Sequence, residues 1–261
     1  MIDPWIALSG ALSGALVGFS LGLVGGGGSI LAVPLMVYFV GVAQPHVAIG
    51  TSALAVAANA AIGLANHARR GNVNWRAGLG FAAAGVIGAF AGSSAGKAFD
   101  GQKLLFLFAL VMIAVGLLML RRKESAGGEH VAVGQAQAAK LGGYGLLAGM
   151  FSGFFGIGGG FLIVPGLIAA TGMAMIHAVG TSLVGVTAFG LTTAANYALS
   201  GLVDWALAAW FILGGLAGSL AGTRMAQGLS SKGQLSTVFA ALIFAVAAYM
   251  LWKSAAALAL L

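Results

Sequence analysis

The chain has 261 residues, of which 60% are hydrophobic and 7% charged, with a net charge of +7 and no cysteine. A soluble domain carries about a quarter charged residues, so this composition leaves no room for a soluble catalytic domain, and the missing cysteines exclude disulfides, thiol catalysis and thiolate metal sites. The basic residues sit in short loops beside apolar runs, which fits the positive-inside rule and not a nucleic-acid surface.

The predicted fold is all-α and integral to the membrane. No Asp, Glu, Lys or Arg occurs between Asp3 and Arg69, nor between Lys140 and Asp204. Each stretch exceeds 60 residues, enough for two or three crossings at about 20 residues each. The N-terminus lacks a basic n-region, so the first apolar run is expected to stay as a membrane helix. In chain order the expected helices fall near 5–24, 29–43, 46–67, 75–96 and 103–120. A polar stretch over 121–140 reads as a cytoplasmic linker. Further helices follow near 142–156, 160–171, 174–198, 204–226 and 232–252. The segments 29–43 and 160–171 are short for a bilayer. Each follows a glycine cluster and contains a proline, so half-helices, re-entrant segments and tilted kinked helices all remain open. The total is eight full helices plus two short ones, giving 8–10 transmembrane segments.

An internal repeat organises these elements. A shift of 131 residues places Gly14, Gly18, Gly22, Gly25, Gly27, Gly28, Pro34 and His46 on Gly145, Gly149, Gly153, Gly156, Gly158, Gly159, Pro165 and His177. After a one-residue deletion the register is 130. Gly50-Thr51-Ser52 then matches Gly180-Thr181-Ser182, and Asn66, Gly71, Val73 and Trp75 match Asn196, Gly201, Val203 and Trp205. The repeats are expected over 5–120 and 141–253. Five crossings per repeat would invert the second relative to the first. That arrangement puts nine of the twelve basic residues (Arg69, Arg70, Arg76, Arg121, Arg122, Lys123, Lys140, Arg224 and Lys232) on one side, and it is favoured over four crossings.

The glycine clusters, Gly25-Gly26-Gly27-Gly28-Ser29 and Gly156-Ile157-Gly158-Gly159-Gly160, are the first candidate site. Glycine in a helix interior costs about 1 kcal/mol relative to alanine, so four in a row favour an unwound segment. Non-helical backbone at membrane depth must be buried in protein or line a polar cavity. The N–H groups of the helix that follows carry partial positive charge and bind anions without a lysine. Interrupted segments at matching places in two repeats mark the expected transporter site. Close helix packing is the competing reading, and it is preferred for the four-spaced Gly14, Gly18 and Gly22.

A polar stripe adds Thr51, Ser52, Asn59 and Asn66 in one repeat and Thr181, Ser182, Thr193 and Asn196 in the other. Buried hydroxyls and amides need partners, which a polar substrate can supply. Inter-helix bonding is the bland alternative, and helix capping is preferred for Asn66 and Asn196. Asn59 matches Phe189 across the repeats, so the pocket is expected to be asymmetric. His46 and His177, just ahead of the Gly-Thr-Ser steps, are candidates for proton coupling. No cofactor and no metal is expected, and no run holds the paired carboxylates of a cation pump or membrane protease.

The motifs GLVGGGGSILAVPLM and GFFGIGGGFLIVPGL, each followed by a histidine, Gly-Thr-Ser and N-x4-G-x-V-x-W, resemble the TauE/SafE family of sulfite exporters, also described as 4-toluene sulfonate uptake permeases. The resemblance spans Leu8 to Tyr249. It implies an inner-membrane permease moving small sulfur-containing anions such as sulfite, sulfoacetate or sulfonates. The glycine stretches and Gly-Thr-Ser steps would then hold the anion, between opposed half-helix N-termini. A carrier or channel for another small solute, and a non-transporting membrane assembly subunit, are the alternatives. The expected partners are a small anion and the lipid bilayer, not nucleic acid, and a homodimer is compatible with the residues.

Overall fold

The structure is a computed structural model that describes residues 4–121, 135–156, 160–231, 241 and 244–253. Every element among the described residues is a helix. They are α1 (Pro4–Val24), α2 (25–40), α3 (Pro45–Arg69), α4 (Trp75–Lys97), α5 (Gly101–Arg121), α6 (Gln135–Phe155), α7 (Gly160–Thr171), α8 (Met175–Ala198), α9 (Trp205–Ser231) and α10 (Phe244–Lys253). Five are long and apolar enough to cross a membrane: α1, α3, α4, α8, and α9 over Trp205–Ala226.

Local chemistry sets the boundaries. Pro45 starts α3, where its missing N–H costs nothing. Asn74 caps α4 by accepting the Ala77 N–H at 3.1 Å, and Asp204 caps α9 by accepting the Leu207 N–H at 2.9 Å. α6 begins at Gln135, inside the expected linker. The run Gln135-Ala-Gln-Ala-Ala-Lys140 is composed of strong helix formers, so the helix projects past its apolar part. α2 changes pitch along its length: a 3-10 stretch over Gly25–Leu31, one α turn at Ala32–Pro34, then π geometry over Leu35–Val40. Pro34 marks the change, because it cannot donate to the preceding turn and its ring crowds the carbonyl there.

Register-equivalent residues make equivalent contacts. Added Cβ atoms on Gly14, Gly18 and Gly22 of α1 would strike the backbone of Phe211, Gly215 and Ser219 of α9. On Gly145, Gly149 and Gly153 of α6 they would strike Phe81, Gly85 and Ala89 of α4. Both pairs are therefore parallel and seamed by small residues. Among the described residues the six glycines with left-handed φ fall in equivalent pairs, 25 with 156, 41 with 172, and 71 with 201.

The central pair is antiparallel. Gly190 of α8 faces Ala53 and Ala57 of α3, while Gly63 of α3 faces Leu183 of α8. α2 runs back along α1, since it starts where α1 ends and its Phe39 ring returns to 6.5 Å from Trp5 near the start of α1. The short segment thus returns the chain along the length of the bundle.

Candidate functional site

At the first break, Gly25 is left-handed, with φ +65°. A Cβ there would press on the Val179 backbone and the Ser182 hydroxyl. In an unbroken α-helix the Gly26 N–H would bond the Gly22 carbonyl. Here the Gly26 N–H donates to Ser182 Oγ at 2.9 Å, and the Gly22 carbonyl lies 2.9 Å from His67 Nε2. Ser29 Oγ donates to the Gly26 carbonyl at 2.8 Å. Gly27 and Gly28 lie in the 3-10 stretch, with Gly28 against the backbone of Ser20 and Leu21.

At the second break, Gly156 has φ +68° and sits against Ile49. Ser52 Oγ donates to the carbonyls of Ile49 at 3.0 Å and Gly156 at 3.4 Å. Gly160 opens α7, while Gly158 and Gly159 lie outside the described residues.

Helix α3 measures the separation of the breaks. One contacts its start through Ser52, the other its last turn through His67. Fifteen positions of α-helix span about 22 Å. The anchor points of the two breaks on α3 are that far apart, while the 3-10 stretch that holds the rest of the first cluster packs against α7, which opens at the second. The cause of the separation on α3 is its antiparallel packing with α8.

The Gly-Thr-Ser steps stitch the halves together. Thr51 Oγ1 accepts the Asp204 N–H at 2.8 Å, and Thr181 Oγ1 accepts the equivalent Asn74 N–H at 2.9 Å. Asn196 crosses to α4, donating to Ser93 and Ser94 and accepting from Lys97 Nζ at 2.8 Å. It is an inter-helix tie and not the expected cap. Asn66 Nδ2 has no partner among the described residues. His46 and His177 are both half-buried near helix starts, His46 with its ring 6.4 Å from Tyr197.

Asn59 differs from the rest of the stripe. It lies mid-way along α3, is fully buried, and neither side-chain atom has a hydrogen-bond partner among the described residues. Buried polar groups are nearly always paired, and an orphan costs about 1–3 kcal/mol. Ser13 and Ser20 of α1 and Ser219 of α9 are likewise buried without a side-chain partner. Sequence reading did not select these three. The signal was present in the repeat register, where Ser13, Ser20, Asn59 and Ser219 match Tyr144, Phe151, Phe189 and Ala89. The α1–α3–α9 layer is polar where its α6–α8–α4 counterpart is mostly aromatic. Phe189 fills the place equivalent to Asn59 and stacks on Phe81 at 6.2 Å. Among the described residues Ser152, Thr193 and Tyr197 carry the unpartnered buried hydroxyls of that second layer. Among the described residues no group of three His, Asp or Glu is placed to hold a metal ion.

Comparison with known proteins fits this architecture. The family model described as "Sulfite exporter TauE/SafE" matches residues 10–250. A "Probable membrane transporter protein" of Xylella fastidiosa (strain Temecula1 / ATCC 700964) is 54% identical over 248 residues, covering 94% of this chain and 95% of the relative. The "Probable membrane transporter protein YdhB" of Bacillus subtilis (strain 168) is 28% identical over 218 residues, covering 80% and 86%. No solved structure gives a significant match. The chain belongs to the sulfite exporter TauE/SafE family and is a multi-pass membrane transporter, not an enzyme.

Proposed function

We propose that the chain is a secondary transporter of small sulfur-containing anions, such as sulfite, sulfoacetate or other organosulfonates, working by alternating access in a bacterial inner membrane. The observation that carries this reading is the unpartnered Asn59 amide in the middle of α3. Asn59 Nδ2 is a donor that a sulfur oxyanion satisfies, and the Ser219 hydroxyl, beside Gly63 one turn further along α3, is another. α1 and α3 carry no Lys or Arg before the last turn of α3. Neutral donors bind a singly charged oxyanion and also let it leave. A dianion such as sulfoacetate would face a larger desolvation cost without a counter-charge, so within this class bisulfite and monosulfonates are favoured.

The antiparallel α3 and α8 support inverted repeats of five segments each, with Arg69, Arg70, Arg76 and Arg224 on the cytoplasmic side. The glycine breaks, Thr51, Ser52, Thr181, Ser182 and Thr193 then line or brace the path at its two ends, with Asn59 between them. A second reading is a carrier for a neutral polar solute. It is favoured by Asn59 Oδ1, which is also unpartnered and accepts a hydrogen bond.

Flux into proteoliposomes tests both, using labelled sulfite, a sulfonate, chloride and a neutral polar solute. Saturable sulfite or sulfonate flux that falls at least tenfold in Asn59→Leu is expected. Flux of the neutral solute alone would select the second reading, and unchanged sulfur-anion flux in Asn59→Leu would move the site elsewhere.

A further inference from the structure

The buried imidazole at the first glycine break is assigned no part by the transport reading. His67 is fully buried in the last turn of α3. Its Nε2 faces the Gly22 carbonyl at 2.9 Å, and its Nδ1 faces Asn72 Nδ2 at 3.4 Å. A carbonyl only accepts, so Nε2 carries the proton. The amide of Asn72 donates, so Nδ1 offers its lone pair. With the Asn72 amide in this orientation both nitrogens are satisfied in the neutral ring, because a second proton on Nδ1 would face a donor. The Gly22 carbonyl is one of the acceptors left over where α1 stops. Its helical counterpart, the Gly26 N–H, is taken by Ser182 from the other repeat.

We propose that His67 is the positioning residue of the first break: as a neutral imidazole it holds the end of α1 apart from the start of α2, jointly with Ser182. The surroundings are suited to this role. Arg70 is the charged group acting on the ring. α1, α2 and α8 bring no Asp, Glu, Lys or Arg, α8 bringing the half-buried His177. α9 brings the neutral Thr223, whose carbonyl accepts from Arg70 at 3.0 Å, and the exposed Arg224. Protonating His67 adds a cation beside Arg70 and removes the Asn72 bond, so the break loosens. The repeat register places Tyr197 at the equivalent position of the second break, so this pH response belongs to one end of the path.

The inference rests on the first break being part of the transport path, but its test needs no substrate. The chain has no cysteine, so a Ser29→Cys thiol reports on the break alone. Its maleimide labelling rate in purified protein is normalised at each pH to that of Ser200→Cys, an exposed site. With His67 present, normalised labelling is expected to rise about tenfold between pH 8 and pH 5, the scale of one lost buried hydrogen bond. His67→Gln keeps a side-chain donor without a titrating group and is expected to stay slow and flat with pH. His67→Leu is expected to be fast throughout. A pH response that survives His67→Gln, or its absence with His67 present, overturns the proposal. If His67→Leu fails to fold, the comparison of histidine with glutamine still decides. Absent flux with an intact labelling pattern would instead count against the transport reading.

Discussion

The amide of Asn59 lies against the bare backbone of Gly215, and a Cβ on Gly215 would overlap it. The equivalent pair is Phe189 on Gly85, where an added Cβ would overlap the aromatic ring. One scaffold position is thus used once for an amide and once for a packed ring. An unpartnered buried amide is a stability cost of about 1–3 kcal/mol, and it persists where function requires it. Asn59→Leu is therefore expected to raise thermal stability while abolishing flux. Unfolding in detergent and flux in proteoliposomes, measured on the same preparation, check this. A variant that loses both stability and flux would make Asn59 a packing residue.

Thr51 and Thr181 carry the same duty at opposite ends of the central helix pair. Each accepts a backbone N–H from the first residues leading into α9 or α4 of the other repeat. Thr51→Val and Thr181→Val keep the shape and delete the acceptor. Each is expected to cost about 1–2 kcal/mol by orphaning that N–H. The two sites share no partner, so the double variant should be additive to within about 0.5 kcal/mol. Denaturant or thermal unfolding of the three variants measures it. Costs differing by more than the additivity error between the two sites would break the equivalence of the stitches.

These threonines show what could be read in the sequence and what could not. The recurring motif was legible because Gly-Thr-Ser, Asn and Trp return in one order, and the helices because charge-free runs near 20 residues have few other uses in a bilayer. The partner of Thr51 was not legible. The hydroxyl caps a loop 153 residues away, and no local pattern announces that pairing. The separation of the anchor points was hidden for a related reason. Matching glycines show equivalence, but only the antiparallel crossing of α3 and α8 shows that equivalent breaks are anchored at opposite ends of α3. Ser13, Ser20 and Ser219 escaped notice as small residues in small-residue helices. His67 escaped notice because its repeat partner is a tyrosine.

Gly25 and Gly71 both have left-handed backbones, with φ +65° and +74°. Their surroundings differ. A Cβ at Gly71 meets nothing within 4 Å, whereas at Gly25 it comes within 2.7 Å of Ser182 Oγ and 2.9 Å of Val179 Cα. Gly71→Ala is expected to cost only the left-handed penalty, about 1–2 kcal/mol. Gly25→Ala adds a collision with backbone that cannot relax cheaply, and should at least double that cost and block transport. Comparing unfolding midpoints of the two variants tests the argument. Equal midpoints would show that α8 yields readily at the break.

Gly71 and Gly201 also decide the sense of the repeat. They are register equivalents, 130 residues apart, each exposed in the turn after a helix of the central pair, with open space where a side chain would go. Parallel repeats would set both turns on one face of the membrane. Inverted repeats set them on opposite faces, and the antiparallel packing of α3 and α8 requires the second arrangement if both helices cross. Arg69 and Arg70 precede Gly71, whereas Asp204 follows Gly201, so the positive-inside rule predicts that Gly71 faces the cytoplasm. In this cysteine-free chain, Gly71→Cys and Gly201→Cys give single probes at the modest strain already argued for Gly71→Ala. With an impermeant maleimide on intact cells, Gly201→Cys should label and Gly71→Cys should not. In inverted vesicles the pattern should exchange. Labelling of both probes from the same side would rule out inversion, and with it the placing of the two anchor points toward opposite faces of the membrane.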